Sequence, residues 1–206
     1  IEIVDSVLNG TGCAYGDQTS PKTMYVVGGS HSEQYMEALD IIGKEKGIKI
    51  IPIIKMGCPL YQNEGIGGRP FPECSEWSKN VEDWITANPP TDGVFMISTR
   101  PEKFYGWGPE IVPGYYKSVF SRIGNAGIPI YAVRDNPWLI TTEKGPFNPR
   151  RCIVDGGDNK TCGQNAANNI DMFENPAINA YQDIPNIKNI DLSRAFIKDE
   201  WVYPVI

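Results

Sequence analysis

Four short apolar runs, "MYVVGG" at 24–29, "IKIIPII" at 48–54, "GVFMIS" at 93–98 and "IPIYAV" at 128–133, are separated by stretches with helical periodicity. A run that is apolar without alternation suits a strand buried on both faces, and such strands belong to parallel sheets covered by helices. Ser32 to Lys46 reads as a helix with Tyr35, Leu39 and Ile42 or Gly43 on one face. In "CSEWSKNVEDWITA" the positions Trp77, Val81, Trp84 and Ile85 fall four, three and one apart, which makes one helical stripe. Tyr116, Val119 or Phe120, and Ile123 make another, closed by glycines. The pattern predicts an α/β fold, a three-layer α/β/α arrangement with a mainly parallel central sheet. The last third is less regular. "RDNPWLITTEKGPFNPRRC" reads as loop, Asn165 to Tyr181 as helical in part, and "IKNIDLS" and "WVYPVI" as late strands near the sheet edge. No repeat or linker divides the chain, so one domain over 1–206 is expected.

Composition narrows the partners. A net charge of -6 with no basic cluster in the sequence argues against nucleic acid and against an anionic membrane surface. No apolar run approaches the roughly 18 residues of a membrane span, and no basic-then-apolar leader opens the chain. Cys58 and Cys74 bracket a Gly- and Pro-rich loop, and Cys152 and Cys162 bracket "IVDGGDNKT", so each pair reads as a disulfide staple in an oxidising compartment. The alternative is five reduced core thiols. One histidine and no C-x-x-C pair leave no zinc site, and no metal or cofactor is expected. Cys13 is left over.

In "MYVVGGSHSEQYMEAL" a strand, two glycines and a helix place Ser30 at the carboxyl end of the first strand, where open α/β sheets bind ligands. Two readings compete. Gly28 and Gly29 permit a sharp turn, and the following amides suit an oxyanion, so Ser30 is a candidate nucleophile. Ser30-His31-Ser32-Glu33 equally fits the S-x-x-E capping box, in which Ser30 only satisfies a helix amide.

Over most of its length the chain resembles the SGNH hydrolase-like domain fused to membrane-bound acyltransferase-3 proteins, which O-acylate bacterial surface glycans and glycolipids. "VVGGSH" resembles the first SGNH block, "KMGCPL" with "PECSEW" the cysteine pair after the second strand, and "DGVFMISTRP" the third-strand block. "GIPIYAVRDNPW" resembles the fourth, and "IDLSRAFIKDEWVYPVI" the run into the final block. The resemblance implies an SGNH hydrolase or flavodoxin-like sheet and a serine acyl-enzyme on Ser30. It further implies transfer of an acyl group, expected to be acetyl, to a sugar hydroxyl of a cell-envelope glycan or glycolipid. The donor would come from a membrane acyltransferase domain of the same parent chain, and the location would be extracytoplasmic, tethered through a region preceding Ile1.

The oxyanion donors it implies are the Ser30 and Gly57 amides, with Thr99 standing where the family has an asparagine. Gly57 also reads as a plain turn before Cys58. His31 and Arg100 are candidate substrate contacts, as are Tyr105 and Trp107 in the aromatic loop "EKFYGWGPEIVPGYY". Each also has an ordinary reading, His31 as a partly exposed histidine, Arg100 as a surface ion-pair partner and the aromatics as packing under a loop. Asp135 and Asn136 read as turn formers before Pro137. The sequence departs from the family at Gly29, where aspartate is usual, and it holds no D-x-x-H block to supply a base. The triad is therefore incomplete in these residues, and the native protein is expected to continue past Ile206. A carbohydrate esterase and a catalytically inactive glycan-binding module remain the alternatives.

Overall fold

The computed structural model describes residues 13–58, 72–103, 107–139, 141–142, 145–168 and 174–204. In chain order, β1 (Tyr15–Gly16) and β2 (Thr23–Gly28) lead into α1 (Ser30–Glu33) and α2 (Met36–Lys46), then β3 (Lys49–Ile54), α3 (Pro72–Ala87) and β4 (Gly93–Ile97). A hairpin of β5 (Arg100–Lys103) and β6 (Trp107–Ile111) precedes α4 (Gly114–Asn125) and β7 (Ile130–Val133). Short elements follow: β8 (Thr141–Thr142), β9 (Gly145–Pro146), α5 (Pro149–Val154), β10 (Gln164–Asn165) and α6 (Pro176–Ala180). The chain then forms β11 (Ile187–Ile190), α7 (Ser193–Phe196), β12 (Ile197–Lys198) and β13 (Trp201–Val202).

The main sheet has the order β1-β3-β2-β4-β7-β11. From β2 onward its strands, numbered by their order in the chain, lie 2-1-3-4-5, the flavodoxin-like order, and β2 pairs in parallel with both β3 and β4. The chain leaves β2 in one direction and returns past it to β4, so β2 stands at the topological switch point. Right-handed crossovers then put α2 on one face and α3 with α4 on the other. Arg122 of α4 ties to α3 through Asp83 and through the buried Glu82, whose Oε2 lies 3.4 Å from Arg122 Nη1.

Pro52 sits inside β3 without breaking it. Lys49 and Lys55 donate their amides to the Lys22 and Gly28 carbonyls, so odd-numbered residues of β3 face β2 and even-numbered ones face away. On that outer side β1 pairs only with Lys49 and Ile50, so the missing amide of Pro52 has no ladder bond to break.

The chain divides into two compact units. The first is Ile1–Ile97 with Gly114–Ala132 and Asp183–Lys188, and the second is Ser98–Pro113 with Val133–Gln182 and Asn189–Ile206. In the first, Val26, Val27, Ile50, Ile51, Val94, Val81, Ile85, Val119 and Ile123 are all buried. In the second, Tyr181 is fully buried and donates its hydroxyl to the Ser98 carbonyl at 2.6 Å. The mainly parallel α/β fold is as the apolar runs indicate.

Details differ from the sequence pattern. The helix expected from Ser32 to Lys46 starts at Ser30 and tightens at Gln34 and Tyr35, where the Tyr35 amide bonds the Ser32 carbonyl three residues back. Met36, Leu39 and Gly43 form its buried face, while Ile42 is exposed. In α3 the buried stripe is Cys74, Ser78, Val81, Glu82 and Ile85, with Trp77 and Trp84 half-buried on its flanks. Of "WVYPVI", the described residues 201–204 do not join the main sheet. β13 lies instead between β10 and β12 in a separate three-stranded sheet, whose two-residue strands are too short to carry a period.

Gly43 marks the tightest approach of α2 to the sheet edge: a Cβ there would lie 2.8 Å from Gly16 Cα, the Ile48 carbonyl and Ile50 Cγ1. Gly43→Ala is expected to cost about 1–3 kcal/mol by overpacking, read as a lower midpoint in urea denaturation.

Candidate active site

The chain turns out of β2 on two glycines with different duties. Gly28 has φ +135°, and a Cβ there would fall 2.6 Å from Ser32 Oγ. Ser32 is buried and donates its hydroxyl back to the Val27 carbonyl at 2.8 Å, which closes the elbow. Gly29 has an extended backbone, φ -111° and ψ -153°, and is the N-cap of α1. Its carbonyl takes the Ser32 and Glu33 amides, and no side chain caps the helix. Ser30 is thus the first residue inside α1, one position too late for the capping box, and its side chain is exposed. Of the two readings of Ser30, the cap is the one that fails.

Gly57 lies in a turn at the end of β3. The Cys58 amide bonds the Lys55 carbonyl at 3.0 Å, and Gly57 at the third position has φ +72°, the conformation a type II turn reserves for glycine. The turn's own bond leaves the Gly57 amide out. A Cβ on Gly29 would sit 3.5 Å from both the Cys58 nitrogen and the Lys55 carbonyl oxygen, so the serine elbow rests against this turn. The Cys58–Cys74 disulfide fastens the turn to the start of α3, with Trp77 and Tyr115 packed over two fully buried sulfurs. Lys55 Nζ adds a bond to the Glu73 carbonyl at 3.2 Å. Tyr115, from the aromatic loop, is therefore occupied in packing.

His31 follows Ser30 and is half-buried, its carbonyl accepting from Gln34 Nε2 at 2.9 Å. Consecutive residues on a helix do not face each other, so its ring is not aimed at the Ser30 hydroxyl as a base.

A family model described as the SGNH domain (fused to AT3 domains) matches residues 4–204. The chain belongs to this family. Neither a curated protein nor a solved structure shows a significant match.

The end of the SGNH third-strand block, from Ser98 to Pro101, falls in the second unit. Thr99 is fully buried, and its Oγ1 accepts the Asp135 amide at 2.9 Å, so it props the turn after β7. Asp135 in turn accepts from the Asn136 amide at 3.0 Å and from Trp138 Nε1 at 2.7 Å, in keeping with a turn-forming role. Arg100 opens β5 with its Nε 3.3 Å from the Pro101 carbonyl. Tyr105 lies outside the described residues, and of Trp107 only the backbone, paired with Lys103, is described.

Sequence reasoning missed Arg134. It is 3% exposed and holds both Glu110 oxygens through Nε at 3.0 Å, with Nη1 on Asp191 at 3.0 Å and Nη2 on the Glu174 carbonyl at 2.9 Å. Burial pulls its guanidinium pKa down, but the bonds to Glu110 and Asp191 outweigh that and hold it above its ordinary value. No local signal reveals the cluster, since Glu110, Glu174 and Asp191 come from three distant segments.

Three substitutions test how these residues support the fold. Gly28→Ala forces a side chain into positive φ against Ser32 and is expected to cost about 1–3 kcal/mol in chemical denaturation. Gly29→Ala meets only ordinary contacts in an extended backbone and is expected to stay within about 1 kcal/mol of the parent. Arg134→Ala strands the buried Glu110 carboxylate, and a loss of about 3–5 kcal/mol by the same measurement is expected.

Proposed function

We propose that this SGNH domain is an extracytoplasmic O-acyltransferase that carries an acyl group, acetyl in the first instance, on Ser30 and delivers it to a sugar hydroxyl of a cell-envelope glycan or glycolipid. The observation that carries the reading is the exposed Ser30, which caps nothing, at the carboxyl end of the switch-point strand, directly after Gly29, whose backbone abuts the Gly57 turn. Membership of a family fused to AT3 domains supports acyl chemistry, and two disulfides suit an oxidising, extracytoplasmic compartment.

The reaction is a double displacement. Ser30 Oγ bonds to the donor's carbonyl carbon and gives its proton to a base. The tetrahedral oxyanion is held by the Ser30 and Gly57 amides, and its collapse breaks the bond to the donor's leaving group, which takes the proton. The acceptor hydroxyl then attacks the acyl-serine, and its proton passes through the same base to the departing Ser30 Oγ, which restores the serine hydroxyl. In this reading the base is a histidine of a D-x-x-H block outside these residues, since His31 is a neighbour of Ser30 on α1. Arg100 and Trp107 remain proposed contacts for the acceptor.

The test is peptide mass spectrometry of the native polypeptide after exposure to p-nitrophenyl acetate, with Ser30→Ala alongside. One acetyl on Ser30, its absence in the variant, and a fall in turnover of at least about 10³-fold are expected. Because Ser30 is exposed and caps nothing, the variant should unfold within about 0.5 kcal/mol of the parent. Acetyl leaving only to water, with sugar acceptors present, would make the protein an esterase. No adduct with sugar binding intact would make it a binding module, for which Gly29 is the motivating departure.

A further inference from the structure

The second unit contains an open groove of about 690 Å³. One wall is the turn at Asp158 and Lys160, inside the Cys152–Cys162 loop, and the other carries Arg194 and Phe196 of α7, Lys198 of β12 and Tyr203 beyond β13. We propose that this groove is a binding site for an anionic saccharide, a sugar bearing carboxylate or phosphate groups.

Charge is the first argument. Among the described residues Lys160, Arg194 and Lys198 have no carboxylate partner, and all three are exposed along the groove. The single acid of the lining, Asp158, is turned into its own loop: its Oδ1 accepts the Thr161 amide at 2.7 Å and the Thr161 hydroxyl at 2.8 Å. Three cations against one committed carboxylate form a basic site in a chain of net charge -6. The guanidinium of Arg194 offers a planar fork suited to carboxylate or phosphate.

Shape and surface are the second argument. The volume lies in the range of discrete small-ligand sites. Half-buried Phe196 and Tyr203 add flat apolar faces of the kind that stack on sugar rings. A membrane would be met by an amphipathic face rather than a concavity, and single-stranded nucleic acid by a longer basic track. The wall is also built firmly. A Cβ on Gly157 would lie 2.3 Å from Cys162 Sγ, and one on Gly163 2.3 Å from Trp201 Nε1, so the loop packs closely on its disulfide and on β13.

This inference goes beyond the acyl chemistry and stands or falls without it. Its test is calorimetric titration of the native polypeptide with trigalacturonate, using tri-N-acetylchitotriose as the neutral control. Saturable binding is expected, about tenfold tighter than for the neutral sugar and weakening as salt rises. The double variant Lys160→Ser, Lys198→Ser should lose about tenfold in affinity with an unchanged circular dichroism spectrum, and Tyr203→Ala should weaken binding as well. Ser30→Ala should bind as the parent does, which separates this result from any failure at the serine. Equal affinity in parent and double variant, or pyrophosphate binding as tightly as trigalacturonate, would overturn the proposal. So would capture by phosphatidylglycerol vesicles without affinity for trigalacturonate, which would make the groove a lipid-headgroup contact.

Discussion

The hydrogen bond from Ser32 to the Val27 carbonyl sets the direction in which the chain leaves its first parallel strand, and the candidate site depends on it. A side chain of one turn of helix is tied to the backbone of the strand before it, so the intervening residues must fold into an elbow. Only glycine tolerates position 28 in that elbow, because φ is +135° and the Ser32 hydroxyl occupies the space a Cβ needs. Ser30 is then held at the apex, at the switch point of a 2-1-3-4-5 sheet, the place where open α/β sheets bind ligands. The family reading of a nucleophile and the local reading of a cap made opposite demands on the same hydroxyl. The register of α1 removes the second, since its cap falls on Gly29.

The second strand supplies the counterpart. Cys58 follows Gly57 directly, so the bond to Cys74 anchors the turn at the residue next to the proposed oxyanion donor. A cross-link of this span stabilises a fold by roughly 3 kcal/mol in the chain-entropy model. Its position matters as much as its energy, because an oxyanion donor works only if it is preorganised. Burial of both sulfurs under Trp77 and Tyr115 shields the link and also explains why one tyrosine of the aromatic loop is unavailable for stacking on a sugar.

Legibility in the sequence followed burial. β2, β3, β4 and β7 are covered on both faces and so read as unbroken apolar runs, and the two disulfide pairs read correctly from the loops they bracket. The buried stripe of α3 was only half visible, because Ser78 and Glu82 occupy core positions that hydrophobicity assigns to the surface, Glu82 being matched by Arg122. The end of the chain was opaque because strands of two residues have no alternation to detect. Thr99 was chosen by its place in a block, which does not show that its hydroxyl is buried and accepts the Asp135 amide. Arg134 shows the same limit in reverse: a motif that reads as a turn carries a buried ion cluster whose partners no local window contains.

Charge is the property that a sequence-wide count treats least well. Lys160, Arg194 and Lys198 are scattered through the last quarter of an acidic chain, so neither the net charge nor any run of basic residues exposes them. Folding brings them to one groove because α7 and β12 lead directly into β13, and β13 pairs β10 just beyond the Cys152–Cys162 loop. At physiological salt, fields fade over about 8 Å, so the overall charge of -6 neither cancels this cluster nor extends its reach. A distant anion meets an acidic protein, and only one already at the groove meets its cations. Such an arrangement selects at contact range, by the spacing of the cations and the faces of Phe196 and Tyr203, and gives little attraction to a polyanion that cannot enter.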